Sequence, residues 1–149
     1  MTTVSQLPHG RWILTYEFYG PGTADTNFGV YYRISNSPLT FNNSVGEALI
    51  AKDGTIPVSS PYNVWTPAGG PQGTIVVSCG TLSQVFVNDQ LGAPGAWTKV
   101  ETPEGISYSR NLAVLPDNNQ ILITGAGQLG GENNSVTTSS IELRRRDHS

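Results

Sequence analysis

The sequence of 149 residues contains almost no cysteine or histidine. Cys79 stands alone, which excludes an intrachain disulfide and a cysteine-based zinc site. The two histidines, His9 and His148, lie in a Pro-His-Gly turn and near the C-terminus, and neither position favours a catalytic base. We therefore expect no metal ion and no cofactor.

Charge is also scarce, since charged residues make up 13% of the chain and the formal net charge is −3. Nucleic-acid binding needs a basic face that displaces counterions, and the only dense basic run, 144–146, is interpreted as a solvated tail. No apolar run approaches the ~20 residues that span a bilayer, and residues 1–6 do not resemble a signal peptide. We expect neither nucleic acid nor a membrane as a partner.

Glycine and proline exclude long helices. The 17 glycines and 10 prolines interrupt every window long enough to hold a helix, so we predict no helix of any length. Apolar residues still make up 37% of the chain, which is too many for a disordered protein. These features predict an all-β fold.

Three segments repeat one pattern: a short strand, a turn led by proline, and a strand of β-branched or aromatic residues. They are 4–17, 64–78 and 112–124, and each is predicted to form a hairpin. A third strand is predicted after each hairpin, at 28–34, 84–87 and 136–143, and a fourth strand at 47–51 and 97–100. Repeats spaced by roughly 45–60 residues are typical of propeller blades.

We therefore predict an all-β partial β-propeller of about three four-stranded antiparallel blades, of which the last lacks its outer strand. The chain is expected to form one domain over 1–149. The blades are placed at about 1–55, 56–103 and 104–146, and 147–149 form a tail.

Two segments between the third and fourth strands of a blade share a further pattern. Residues 35–41 and 88–97 both place small polar residues several positions before an aromatic residue. We expect the small side chains to bond the turn backbone while the aromatic residue packs beneath it. These segments resemble degenerate Asp-boxes, the turns of sialidase-like propellers.

The blade topology predicts one functional site. The start of each first strand and the end of each second strand meet at one end of a propeller, where ligands commonly bind. Glu17 closes a second strand, Tyr62 opens blade two, and Tyr108 and Arg110 open blade three. A carboxylate, two tyrosines and an arginine guanidinium around one opening favour a sugar ligand.

Each of these residues also has a plainer interpretation. Glu17 at a strand end can be a solvated charge. Tyr62 and Tyr108 can be aromatic residues that pack between blades. A structural ion pair explains Arg110 as well as a role in the site does.

Several runs resemble glycoside hydrolase family 93. They are GRWILTYE at 10–17, VYYRIS at 30–35, SPYNVWTPAGGP at 60–71 and ISYSRNL at 106–112. The resemblance extends from about Leu7 to about Leu143, and VWTPAGGP is its most specific part. Members of this family are exo-1,5-α-L-arabinanases with a six-bladed sialidase-like propeller, and they are extracellular.

The resemblance implies roles for particular residues. The family uses a retaining mechanism with one glutamate as nucleophile and another as acid/base. Glu17 looks like the nucleophile and Tyr108 like the tyrosine that assists near it, with Tyr62, Arg110 and Arg33 as substrate-binding residues. The implied partner is carbohydrate, either arabinan or an oligosaccharide.

The acid/base glutamate of the family belongs to an earlier part of its sequence, which has no counterpart here. Five other glutamates lie in predicted outer strands or loops and are not obvious replacements: Glu47, Glu101, Glu104, Glu132 and Glu142. We therefore expect a truncated product that is inactive by itself. A homodimer or a complementing N-terminal half is the expected partner that completes the propeller.

Two other functions remain open. One is a non-catalytic carbohydrate-binding propeller fragment that self-associates into a complete ring. The other is a sialidase relative with Tyr108 as nucleophile, which requires three site arginines, whereas only Arg33 and Arg110 are candidates.

Overall fold

The structure is a computed structural model that describes residues 2–18, 28–80, 83–102, 107–117, 119–128 and 136–143. Residues 107–109, 126–128 and 136–137 are described through their backbone. Over these ranges, no helix has the length and apolar character needed to cross a membrane.

The described strands form three antiparallel sheets, one for each predicted blade. Blade one contains β1 (Thr3–Gln6), β2 (Trp12–Phe18), β3 (Gly29–Ser35) and β4 (Glu47–Ala48). Blade two contains β5 (Tyr62–Thr66), β6 (Thr74–Ser78), β7 (Gln84–Asn88) and β8 (Thr98–Glu101). Blade three contains β9 (Ser107–Val114), β10 (Gln120–Gln128) and β11 (Val136–Glu142).

Each sheet has its strands side by side in chain order, and the described part of blade three has three of them. The predicted all-β partial propeller is therefore confirmed. The expectation of no helix needs one amendment, because Pro8–Gly10 and Phe41–Asn43 each form a single 3₁₀ turn. A turn of three residues fits between strands where a longer helix does not.

The first strands of the three blades lie next to one another, since β1 contacts β5 and β5 contacts β9. Successive side chains of a strand point to opposite faces of its sheet. In β2, Ile13 and Thr15 therefore face blade two, whereas Leu14 and Tyr16 face away from it. This alternation determines which predicted site residues are able to meet.

Two buried clusters join the blades. The cluster between blades one and two consists of Leu7, Ile13, Val30, Tyr32, Leu49, Ala51, Ile75, Val77, Cys79, Phe86 and Trp97. The cluster between blades two and three consists of Val76, Val85, Leu112, Ile121, Ile123 and Ile141. Neighbours along β6, such as Ile75 and Val76, belong to different clusters, so blade two is buried on both faces.

Asn63 of β5 fastens the inner edge of blade two to blade one. Its side chain is 3% exposed, and its amide donates to the Thr15 hydroxyl at 2.8 Å and to the Thr3 carbonyl at 2.9 Å. The Asn63 backbone N–H donates to the Thr3 hydroxyl at 3.0 Å, and the Ser5 hydroxyl donates to the Asn63 side-chain oxygen. Because buried polar groups are costly unless paired, this network favours one arrangement of the two blades.

Candidate functional site

Glu17 lies near the end of β2, opposite Val30 of β3. Its side chain is partly buried and faces blade two, as that of Thr15 does. The backbone N–H of Ser60, which precedes β5, donates to the Oε1 atom of Glu17. The carboxylate is therefore held at the boundary between blades one and two.

Ser60 belongs to a sharp corner that sequence reasoning missed. The φ angle is 69° at Ser59 and 46° at Ser60, both in the left-handed region. The Ser59 carbonyl accepts a hydrogen bond from the Gly80 N–H at 2.7 Å, and the Ser59 N–H donates to the Phe28 carbonyl at 2.9 Å. The only signal in the sequence is the Ser-Ser-Pro run at 59–61, which indicates a turn without revealing its contact.

Tyr62 and Arg110 lie at the same end of the blades as Glu17. Tyr62 opens β5 and is paired with Ser78 of β6, whose hydroxyl donates to the backbone carbonyl of Arg110 at 2.9 Å. Ser78 has in blade two the position of Glu17 in blade one, because each lies near the end of a second strand and contacts the start of the next blade. The backbones of Glu17, Tyr62 and Arg110 therefore lie at the same end of consecutive blades.

The Arg110 side chain lies in the boundary between blades two and three. It is fully buried, and its guanidinium donates to the carbonyls of Ser83, at 3.1 Å, and Gln84. A further contact reaches the Thr102 hydroxyl at 3.4 Å. The guanidinium partners that the structure gives are therefore backbone carbonyls and a hydroxyl at this boundary.

The two predicted tyrosines lie on inner strands. Tyr108 is opposite Ala126 of β10, beside a register shift that begins at Thr124. β9 contacts β5, which carries Tyr62. The Tyr62 side chain is partly buried and packs against the cluster between blades two and three.

Arg33 lies on the face of blade one opposite to Glu17. It pairs with Leu14 in the sheet, and its guanidinium carbon lies 5.8 Å from the centroid of the Tyr16 ring. The guanidinium also donates to the Ser44 carbonyl in the loop after β3. The structure therefore does not bring Arg33 to Glu17.

The other glutamates considered from the sequence lie elsewhere. Glu47 is on β4, Glu101 on β8 and Glu142 on β11, which are outer strands of their sheets. Glu104 and Glu132 lie outside the described residues. In the part of the chain that the structure describes, no cluster of three Asp, Glu, His or Cys residues could hold a metal ion.

Two depressions of the described surface lie at the other end of the blades. One, of about 460 Å³, is lined in part by Arg11 and Ser35, where β2 begins and β3 ends. The second, of about 450 Å³, is lined in part by Gly69, in the loop between β5 and β6, and by Thr74, which begins β6. Neither contributes to the predicted site around Glu17.

No family model and no curated protein matches the chain. Solved structures do match. One is an α-L-arabinofuranosidase from Fusarium graminearum in complex with an iminosugar inhibitor, with a TM-score of 0.88 at 42% identity, covering 96% of this chain and 42% of that one.

A GH93 α-L-arabinofuranosidase of the same fungus with arabinobiose has a TM-score of 0.87 at 41% identity, over 96% of this chain and 42% of that one. A Penicillium chrysogenum α-L-arabinanase complexed with arabinobiose has a TM-score of 0.87 at 42% identity, over 96% of this chain and 41% of that one. The chain thus spans about two fifths of the length of the proteins it matches.

Proposed function

Because this chain belongs to glycoside hydrolase family 93, with 42% identity over 96% of its length to a solved structure, we propose that it carries the nucleophile side of an arabinan-cleaving site. The reaction is hydrolysis from the chain end with retention of configuration. Glu17 is the nucleophile that attacks the anomeric carbon. The observation that carries this proposal is the held Glu17 carboxylate at the end of the blades where Tyr62 also lies.

The hydrogen bond from Ser60 supports the role of Glu17. A nucleophile must keep one orientation while the sugar approaches, and a fixed N–H donor restricts rotation of the carboxylate. A charged acceptor also makes this hydrogen bond stronger than one between neutral groups. Glu17 is therefore poised between two blades rather than extended into solvent.

Retention requires a second carboxyl group roughly 5–5.5 Å from the first. The described candidates Glu47, Glu101 and Glu142 lie on outer strands, so we assign none of them as the acid/base. That group must come from outside the described residues. The described part of the chain then has one of the two catalytic carboxyl groups, and in this proposal further blades supply the other.

The remaining site residues have different roles in this proposal. Tyr108 assists near the nucleophile, and Tyr62, which packs at the boundary between blades two and three, contributes an aromatic surface on that side of the opening. The buried guanidinium of Arg110 supports the start of blade three and does not bind the sugar directly. Arg33 stabilises the outward face of blade one through Tyr16 and the Ser44 carbonyl.

The ligand of the complete site is a pentose-containing carbohydrate. Two solved relatives hold arabinobiose, and another holds an iminosugar inhibitor. The chain functions outside the cell, where polymeric arabinan is available.

The test restores the blades that this chain does not cover. The chain is combined with the remaining part of the Penicillium relative, and release of arabinose oligomers from linear arabinan is measured. Glu17→Gln is expected to reduce kcat by about 10³-fold or more, because the nucleophile is lost. Glu101→Gln, at the exposed last residue of β8, is the matched control. Equal cleavage by the native protein and Glu17→Gln rules out Glu17 as the nucleophile.

A further inference from the structure

Three residues with unusual backbone conformations lie beside the end of β2, and one of them, Ser60, contacts Glu17. In the described chain, five residues other than glycine have positive φ angles, and three of them are Phe28, at 62°, Ser59 and Ser60. Left-handed φ angles are disfavoured for such residues by contact of Cβ with the backbone. At six other left-handed positions the chain has glycine, which avoids this contact. Strain of this kind is often found at functional sites.

Backbone hydrogen bonds join these three residues into one unit. The Phe28 N–H donates to the Phe18 carbonyl at 2.9 Å, which ties it to the end of β2. The Ser59 N–H donates to the Phe28 carbonyl, and the Ser59 carbonyl accepts from Gly80 of blade two. Ser60 then donates its own N–H to Glu17. The strained corner is thus held from both blades.

The corner is also tightly packed. A Cβ atom added at Gly80 would lie 3.2 Å from the Cβ of Ser60 and 3.4 Å from the Ser59 carbonyl oxygen. Gly80 therefore lies close against the corner, and an added methyl group would press on Ser60 and Ser59. The left-handed conformation directs the Ser60 N–H toward β2. Glu17 is the last residue of β2 whose side chain faces blade two.

We infer that Ser60 is a positioning residue for Glu17 and that the strained corner at 59–60 fixes the direction of the Ser60 N–H. This inference rests on the proposed function, because it gives the reason for holding the nucleophile in place. Its effect on catalysis acts through Glu17 and not through contact with the sugar. The Ser60 hydroxyl is not required, since the backbone makes the contact.

The first experiment uses the chain as it exists and needs no activity. The amide proton of Ser60 is observed by ¹H–¹⁵N NMR in the native protein, in Glu17→Gln and in Glu101→Gln. Loss of the charged acceptor in Glu17→Gln is expected to move the Ser60 resonance upfield and to speed its hydrogen exchange. Glu101→Gln is expected to leave both unchanged. An identical Ser60 resonance in all three proteins overturns the inference.

The second experiment measures kcat and KM in the protein complemented with the remaining blades. Valine is β-branched and disfavours a left-handed φ angle, whereas glycine accepts it, and both lack the hydroxyl. Ser60→Val is expected to lower kcat by about 10²-fold with little change in KM, because the nucleophile is misplaced. Ser60→Gly is expected to retain at least ten times the kcat of Ser60→Val. Equal losses in the two variants overturn the inference.

Gly80→Ala provides an independent variant if Ser60→Val does not fold, which circular dichroism will show. The added methyl group presses on the corner, so we expect kcat to fall while KM changes little. Unaltered kcat in a folded Gly80→Ala protein contradicts the inference. Failure of the proposed function gives a different result, because Glu17→Gln then retains activity while the NMR experiment still reports the hydrogen bond.

Discussion

At the scale of single residues, buried polar side chains help to fix how one blade is positioned against the next. Asn63 binds Thr3, Ser5 and Thr15 of blade one at once. Apolar packing is non-directional, whereas hydrogen bonds require defined distances and angles. The hydrophobic effect therefore stabilises the interface, and the buried Asn63 amide selects one relative position of the two blades.

A second contact between the blades is an ion pair at the surface. Lys99 Nζ of β8 lies 2.8 Å from Asp53 Oδ2, in the loop that follows β4. The Lys99 side chain also donates to the Thr55 hydroxyl at 3.2 Å. Hydrogen bonds from Lys99 and, to a smaller extent, from Thr55 lower the pKa of Asp53 from 3.8 to about 2, and bonding to Asp53 raises the pKa of Lys99.

This lowered pKa predicts how stability depends on pH. The folded protein favours ionised Asp53 more than the unfolded chain does, so the contribution is fully present above about pH 4 and is lost as the pH falls through about 2. We expect Asp53→Asn to be less stable than the native protein at pH 6, with the difference disappearing near pH 2. Urea denaturation at each pH measures it.

Salt provides the control for this prediction. The pair is solvent-exposed, so added salt should reduce the difference at pH 6. In a Lys99→Met background, Asp53→Asn should produce a smaller pH-dependent difference, because only the donors from Thr55 then remain on Asp53. A difference that persists unchanged at pH 2 contradicts the assignment.

At the scale of elements, the hairpins depend on glycine for more than one reason. Gly10 and Gly73 have φ angles of 73° and 72°, each just before the second strand of its blade. A Cβ atom at Gly10 would meet nothing within 4 Å. A Cβ atom at Gly73 would run into the Thr66 carbonyl and the Trp65 ring.

These two positions separate backbone strain from steric conflict. We expect Gly10→Ala to lower the free energy of unfolding by about 1–2 kcal/mol, the cost of a left-handed alanine. Gly73→Ala should lower the free energy of unfolding by a further ~1–3 kcal/mol, because the added methyl group also displaces packed atoms. Equilibrium denaturation in urea compares the two variants with the native protein. Equal costs would show that the hairpin of blade two relaxes freely around Gly73.

The turn at 88–97 shows how a small polar side chain organises a loop. The Asn88 side-chain oxygen accepts from the N–H groups of Gln90, at 2.8 Å, and Gly92, at 3.1 Å, while its amide donates to the Ala93 carbonyl at 3.1 Å. Trp97 at the end of the turn is fully buried. These contacts have the form expected from the sequence, with an asparagine bonding the turn backbone and an aromatic residue beneath it.

The same turn is attached to blade one through Tyr32. Its hydroxyl donates to the Gly92 carbonyl at 2.8 Å, and its ring meets that of Trp97 edge-on, with centroids 5.2 Å apart. Burial raises the pKa of Tyr32, so the hydroxyl keeps its proton for this contact. The loop of one blade thus becomes part of the packing surface of another.

At the scale of the whole molecule, the two outward faces differ in chemistry. On blade one, the outward row includes Val4, 47% exposed, and Phe18, 38% exposed and stacked on Tyr31 with centroids 4.8 Å apart. On blade three, the corresponding outward row includes Thr138 and Ser140, both exposed. The blade-one face is therefore the one suited to burial against another sheet.

This asymmetry predicts which face would form the contact in any self-association of the chain. We expect Val4→Thr combined with Phe18→Ser to reduce self-association and binding of a hydrophobic dye, because both replacements remove apolar surface from the blade-one face. Sedimentation velocity and dye fluorescence measure these effects. Thr138→Ser on blade three is the matched control and should change neither. Unchanged association in the double variant places the contact on another surface.

The pattern of residues was sufficient to predict most of the fold. Strands, Pro-led hairpins and blade order follow from local rules, since β-branched runs, proline and glycine act within a few residues of their own position. The prediction placed Glu17 near the end of β2 and Tyr62 at the start of β5, where the structure has them. The resemblance identified the family that the solved structures support.

What the sequence by itself determined was therefore the all-β character, the repeat and the order of strands along each blade, because these depend on neighbours in the chain. Only the tertiary structure decided which faces meet. It put Arg33 on the face opposite to Glu17, buried the Arg110 guanidinium between blades, and brought the Ser60 N–H to Glu17 across 43 positions of sequence. Such contacts depend on how sheets stack, and no local pattern encodes them.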